Sequence, residues 1–329
     1  MIASVAFRKF KALRKTQVAL LPFNLVIGPN GSGKTSLIES LLRLRTLAPL
    51  PQATARRDKS APEGPQITFK FEPPHDALTA LISCTSEEVC NLLEIHPPEA
   101  ADWPALRTRL ALIRGYVLDH SVMGAPAKRE DGASLASDGH NLAAVLARMS
   151  TAAPDEFSAL TAHLLRIMPE FHSLELVTHP DGRVEFGLRL AEDGLLTAAE
   201  LSQGMLYLLA ILTLAFDPAP PPLLCIEEVD RGIHPRTLRE IRDALYRLSY
   251  PKSFGLQRAP VQIVATTHSP YLIDQFREHP EEIVISQKHG RAARFERLSD
   301  RADLPELLRE GSLGDMWFSG ILGGVPDEP

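Results

Sequence analysis

Apolar and polar residues alternate at the start of the chain, where Ile2-Ala3-Ser4-Val5-Ala6-Phe7 reads as an edge strand. Val18-Ala19-Leu20-Leu21 follows a basic turn as a second short apolar run, so a small antiparallel β-layer is expected first. The continuous run Phe23-Asn24-Leu25-Val26-Ile27 reads as a buried strand, and residues 35–47 as the helix that leaves it. Pro49, Pro51, Pro62 and Pro65 then bracket Arg56-Arg57-Asp58-Lys59, which predicts a mobile proline-rich loop over 48–66. Period two returns at 67–71 as a strand. Residues 76–112 show a helical pattern broken by Pro97, Pro98 and Pro104, read as a lid or insert. A strand is expected at 113–118, helices at 141–149 and 157–167, and a hairpin turning at Asp181-Gly182.

The second half alternates helix and strand: a helix at 205–215, a strand at 223–226, a helix at 235–248 and a strand at 261–268. Such alternation predicts a mostly parallel core sheet. A hairpin over 282–298 turns near His289-Gly290, and the tail with Trp317 is expected to dock. No heptad pattern lasts the three or four repeats that a coiled coil needs.

Composition narrows the class. With 329 residues, 44% hydrophobic and 23% charged, the chain can bury a substantial core. A net charge of −6 argues against a general basic coat for nucleic acid, leaving only a local basic face. Of three cysteines, Cys84 and Cys90 have no second pair, so neither a disulfide framework nor a zinc site is expected, and a reduced cytoplasmic location follows. No signal peptide or membrane-spanning run is expected.

Chemistry enters at Gly28-Pro29-Asn30-Gly31-Ser32-Gly33-Lys34-Thr35, which fits the phosphate-cradling pattern G-x-x-x-x-G-K-[ST] between a strand and a helix. Its glycines let successive amides face one anion, and the helix N-terminus adds partial positive charge. Lys34 is read as holding the β- and γ-phosphates of a nucleotide, and Thr35 the Mg²⁺, with Asn30, Gly31, Ser32, Gly33 and Ser36 completing the cradle. Glu227 and Glu228 end the apolar strand at 223–226: Glu227 is read as supporting Mg²⁺ and Glu228 as polarising the attacking water. His268, at the end of the next strand, is placed to contact a γ-phosphate. Leu201-Ser202-Gln203-Gly204 opens a helix; Ser202 there is either a plain N-cap or, with Gly204, a second anion site.

Taken in order, these motifs resemble the ABC-type ATPases of the RecF, SMC and OLD-like group, closest to its stand-alone bacterial members. Phe10-Lys11-Ala12-Leu13, Asp138-Gly139-His140-Asn141-Leu142, Gly232-Ile233-His234-Pro235, Thr267-His268-Ser269-Pro270 and Ser312-Leu313-Gly314 extend the likeness over nearly the whole chain. The resemblance implies an α/β P-loop fold of ABC-ATPase type, with a mostly parallel core sheet, an N-terminal antiparallel β-layer and a helical lid insert. Residues 1–329 would form a single head, with the β-layer and lid in 67–200 and the signature, acidic pair and switch histidine in 201–329. It further implies an ATP-dependent homodimer with two nucleotides sandwiched between heads. Ser202 and Gly204 would act in trans, and Lys34, Thr35, Glu227, Glu228 and His268 in cis.

The chain departs from the group in reading Glu227-Glu228-Val229-Asp230 where Glu-Glu-Pro-Glu is common. Gln66 is the candidate Mg²⁺-sensing glutamine. Without coiled-coil patterning, long-arm tethering is not expected, nor is a nuclease domain after His268. The leading expectation is an ATPase that gates double-stranded DNA or a separately encoded nuclease or other effector, in DNA repair or anti-phage defence. A regulatory nucleotide-binding module with slow turnover is the alternative, and a transporter nucleotide subunit is disfavoured by the flanking motifs. Arg231, Arg236, Arg239, Arg242 and Arg247 form one candidate DNA surface, though their mixed faces and the acids between them equally fit a salt-bridged helix. Arg8, Lys9, Lys11, Arg14 and Lys15 form the other, in a region that approaches the adenine in the related fold.

Overall fold

The computed structural model describes residues 1–50, 64–98, 100–190, 194–290 and 292–323. The proline-rich stretch expected to be mobile falls mostly outside the described residues. In chain order, β1 (Ile2–Phe10), β2 (Leu13–Ala19) and β3 (Phe23–Ile27) precede α1 (Lys34–Leu47). Then come β4 (Gln66–Phe71), β5 (Thr79–Cys84), β6 (Cys90–His96), α2 (Trp103–Leu110), β7 (Arg114–Tyr116), α3 (His120–Met123) and β8 (Ala127–Lys128). The middle of the chain carries α4 (Leu142–Ala152), α5 (Pro154–Ile167), β9 (Phe171–Thr178), β10 (Arg183–Leu190) and β11 (Gly194–Thr197). After α6 (Gln203–Phe216) follow β12 (Leu223–Ile226), α7 (Leu238–Ser249), β13 (Gln262–Thr266), α8 (Pro270–Asp274), β14 (Ile283–His289), β15 (Ala292–Arg297), α9 (Leu304–Glu310) and α10 (Leu313–Phe318).

The chain divides into two compact units, the first made of residues 1–115, 221–226 and 259–329, the second of 116–220 and 227–258. In the first unit, an antiparallel sheet runs in the order β2-β1-β4-β5-β6. The other sheet runs β15-β14-β3-β13-β12-β7, and β14, β3, β13 and β12 are mutually parallel. Helix α1 contributes Leu37, Ile38, Leu41 and Leu44 to a core shared with Phe7, Phe10 and Phe69 of one sheet and Val26, Val264 and Val284 of the other. Each such buried side chain contributes roughly 1.5–3 kcal/mol relative to exposure. Gln262, fully buried on β13, clasps the β1 backbone by accepting from Ile2 N–H at 3.0 Å and donating to Ile2 C=O at 2.9 Å. The helix with Gly33 at its N-cap is therefore gripped from both sides.

Three expectations change. The first strand is not an edge: β1 is paired on both sides, by β2 and by β4. Residues 76–112 are not a helical insert, because β5 and β6 extend the antiparallel sheet and only α2 is helical. Pairing with β4 overrides the helix preference of that Ala- and Leu-containing stretch. Cys84 and Cys90, where no disulfide framework was expected, lie opposite each other in the β5–β6 register and form a disulfide, which removes the support for a reduced location, while Cys225 is buried in β12. The tail does dock: Gly314 approaches α8 so closely that a Cβ there would lie 2.6 Å from the Pro270 carbonyl, and Trp317 is buried.

In the second unit, β10 is flanked by β9, β11 and β8, and the hairpin turns at Gly182 as expected. Helices α4, α5, α6 and α7 pack together around the nearly all-buried α6. Asn141 is a structural bracket here, donating to Asp131 C=O at 2.6 Å and Ser134 C=O at 2.9 Å while accepting from Ala136 N–H at 2.8 Å. Among the described residues, no helix is long and apolar enough to cross a membrane.

Candidate functional site

The strand feeding the phosphate loop is buried at all five positions, so its register is fixed before the loop begins. Space is tight at Gly28, where a Cβ would stand 2.4 Å from the Ser286 carbonyl and 2.6 Å from Ser32 Oγ. Ser286, on the neighbouring β14, donates its hydroxyl to Ser32 C=O at 2.5 Å and so pins the loop. Gly31 and Gly33 take left-handed φ of 72° and 103°, which only glycine adopts without strain. Gly33, as N-cap of α1, offers no side-chain oxygen to its helix. Lys34 is buried, its ammonium donating to Gly28 C=O at 2.7 Å and Pro29 C=O at 3.0 Å. Ser32 Oγ is buried without a hydrogen-bond partner among the described residues. Asn30 and Thr35 are exposed and Ser36 is half-buried. A buried ammonium, an orphaned hydroxyl and a helix N-terminus without a side-chain cap fit a phosphate chain.

His268 reaches the same region through the sheet. Strand β13 pairs parallel to β3 with Thr266 opposite Val26, and Thr267 N–H donates to Val26 C=O at 3.4 Å. Exposed His268 thus emerges at the C-terminal edge from which the phosphate loop leaves β3, where open α/β sheets place their ligands. Thr267 Oγ1 accepts from Ser269 N–H at 2.9 Å, and Ser269 caps α8, which fixes the backbone on either side of the histidine. Strand β12, parallel to β13, ends at Ile226, and the chain continues directly into Glu227 and Glu228.

Within the second unit, Glu227 N–H donates to Tyr116 C=O at 3.0 Å. Glu228 is exposed and holds a left-handed φ of 48°, a strained conformation for a non-glycine residue. A tight turn follows, with Arg231 N–H donating to Glu228 C=O at 2.8 Å and Arg231 Nε lying 3.7 Å from Glu228 Oε2. Both side chains are about half exposed, at 53% and 54%, so the pair is worth at most about 1 kcal/mol and releases easily. The Ser121 hydroxyl and amide hold the Asp119 carboxyl below the usual carboxylate range, with smaller help from His120 and Arg231.

The signature segment lies against this same turn. Ser202 caps α6 by accepting from Met205 N–H at 3.4 Å, so the plain N-cap role is realised. A Cβ on Gly204 would come 2.5 Å from Gly232 C=O, and one on Gly232 would come 2.7 Å from Gln203 Cδ. Two glycines thus let the signature and the turn after the acidic pair interlock, Gly204 against the Gly232 backbone and Gly232 against the Gln203 side chain. The pattern Arg231-Gly232 before Ile233-His234-Pro235 was visible in sequence, but nothing local in it announces the partner.

Gln66 opens β4 in the antiparallel sheet, opposite Arg8 and Ser83, and is not among the residues at the parallel sheet's C-terminal edge. Among the described residues, no three His, Cys, Asp or Glu side chains gather to hold a metal by themselves. Mg²⁺ ordinarily takes one or two carboxylates together with substrate phosphates, so Thr35 and Glu227 fit that role in kind. The arginines of α7 are engaged internally: Arg242 with Asp243 at 2.7 Å, Arg239 with Asp243 at 3.8 Å, and Arg247 over the Phe216 ring at 4.3 Å.

Residues 113–274 match the family described as "AAA domain, putative AbiEii toxin, Type IV TA system", a stretch that takes in the signature, the acidic pair and His268 and leaves out the phosphate loop. No curated protein matches in sequence. Among solved structures, an SMC head bound to the C-terminal winged-helix domain of ScpA superposes with TM-score 0.59 at 13% identity, covering 90% of this chain and 96% of the other. The fold is that of an SMC head domain. The SMC head of Thermotoga maritima is similar to this chain with TM-score 0.52 and 13% identity over 90% of this chain and 98% of that one. An SMC head with an extended coiled coil, bound to the C-terminal domain of ScpA and derived from Pyrococcus furiosus, gives 0.58 and 12% over 94% and 99%.

Proposed function

We propose that this chain is an ATP-binding and ATP-hydrolysing head, that all of 1–329 acts as one such head, and that two copies close on ATP. The observation that carries the reading is the common C-terminal edge of β3, β13 and β12. From it leave the phosphate loop, His268 and the acidic pair. Lys34, with Asn30, Gly31, Ser32, Gly33 and Ser36, would bind the phosphates, while Thr35 and Glu227 would hold Mg²⁺. Bound Mg²⁺ would neutralise charge on the β- and γ-phosphates. Glu228 would take a proton from the attacking water, and His268 would orient the terminal phosphate. Ser202 and Gly204, at the N-terminus of the 14-residue α6, would reach the phosphates of the second copy.

The dimer would gate a partner protein or double-stranded DNA. The ScpA domains bound to two of the similar SMC heads support a protein effector, and the internal pairing of the α7 arginines lends that helix little support as a phosphate-binding face. Anti-phage defence or DNA repair is the setting this reading favours, the toxin–antitoxin wording of the matching family leaning towards defence. Glu228→Gln should lower steady-state phosphate release about 10²- to 10⁴-fold while ATP still binds. Wild-type turnover in that variant would remove Glu228 as the base.

A further inference from the structure

Strand β14 runs beside β3 in parallel register, with Ile285 opposite Ile27, and then continues past the point where β3 turns into the phosphate loop. Ser286, Gln287 and Lys288 therefore lie alongside the loop itself. Side chains two apart on a strand share a face, and Ser286 marks which face this is: its hydroxyl is the one that pins Ser32 C=O at 2.5 Å. Lys288 follows on that face. A Cβ built on Gly31 finds one atom within 4 Å, the Lys288 ammonium at 4.0 Å. Among the described residues, the loop apex is otherwise open there. Lys288 is exposed, and no carboxylate forms an ion pair with it among the described residues. Lys34, by contrast, is buried and donates to the loop's own carbonyls.

From this arrangement we infer that Lys288 is a second phosphate-binding lysine, reaching from β14 over Gly31 to the phosphate chain of the bound nucleotide. The inference rests on the ATP-binding reading above. Physically, one lysine enters from beneath the loop and the other from its open side, so the negative charge of a triphosphate is met from two directions. A charge-assisted contact from a flexible, exposed ammonium suits binding of the phosphate chain. It does not suit proton transfer, so its effect belongs in affinity. Nothing local in Gln287-Lys288-His289 signals this role, because it depends on the register between two strands far apart in sequence.

Isothermal titration of the full chain with Mg²⁺-ATP and Mg²⁺-ADP tests it. Lys288→Ala should weaken ATP binding roughly ten-fold, ADP by less, and leave the melting temperature close to wild type. Lys288→Arg should restore most of the affinity. Unchanged ATP affinity in Lys288→Ala would overturn the inference, as would a loss accompanied by a lower melting temperature that Lys288→Arg does not rescue. Lys34→Ala is the companion measurement: if it weakens ATP and Lys288→Ala does not, the second lysine alone is wrong. If neither changes an ATP affinity that the wild type itself lacks, the nucleotide reading falls with it.

Discussion

At the scale of single residues, the phosphate loop was legible because its requirements are local. Glycines at 28, 31 and 33, a lysine and a threonine stand within eight consecutive residues. What surrounds the loop was not legible. Ser286 pins it and Leu13 packs under Gly33, whose Cβ would meet Leu13 Cδ2 at 2.7 Å, yet both come from other strands. The two kinds of glycine constraint separate by mutation. Gly182, at φ 83° with open space around it, should lose about 1–2 kcal/mol on replacement by alanine, from backbone strain alone. Gly28→Ala drives a Cβ against the Ser286 carbonyl at 2.4 Å and should cost about 1–3 kcal/mol while also weakening ATP binding. Urea denaturation and nucleotide titration of the two variants check this, and retained affinity in Gly28→Ala would show that the loop relaxes around the methyl.

At the scale of elements, periodicity located most helices and strands and failed where pairing decides. Ala77-Leu78-Thr79-Ala80-Leu81-Ile82 carries residues that suit a helix, but β4 offers it a ladder and it becomes β5. Ile2-Ala3-Ser4-Val5 alternates as an edge strand would, and becomes an inner one because β4 is recruited from sixty residues away. The signature helix α6 and the turn after β12 were each anticipated, but not the contact between Gly204 and Gly232. If that contact ties signature to acidic pair, Gly232→Ala should lower kcat several-fold with little change in ATP affinity, read from steady-state kinetics. An unaltered kcat would show that the interlock serves packing alone. Helix packing also sets a pH dependence. Burial depresses the His163 imidazole below its ordinary 6.5, opposed by Glu240 and reinforced by Arg166 and Arg247, where it packs near the Phe216 ring. The folded state thus resists a proton that the unfolded state accepts. Its stability contribution is present above pH 6.5 and lost as pH falls through the depressed value. His163→Gln should flatten the loss of denaturation midpoint on acidification, and an unchanged slope would assign that loss to other groups.

At the scale of the whole molecule, alternating strand and helix announced a largely parallel sheet. Strand order was not written there, since β7, β12, β13, β3 and β14 become neighbours only through long connections. Order is what matters for the proposed chemistry, because the parallel pairing of β3 and β13 brings the loop after Ile27 and His268 to one edge. The signature belongs to a different compact unit from the phosphate loop, and the proposal completes the site with the signature of a second copy. The most direct measurement is the solution mass of Glu228→Gln with Mg²⁺-ATP, beside wild type and the same variant without nucleotide. The account predicts a stable dimer only in the ATP-bound variant, where binding proceeds and turnover does not. A monomer at saturating ATP would contradict it.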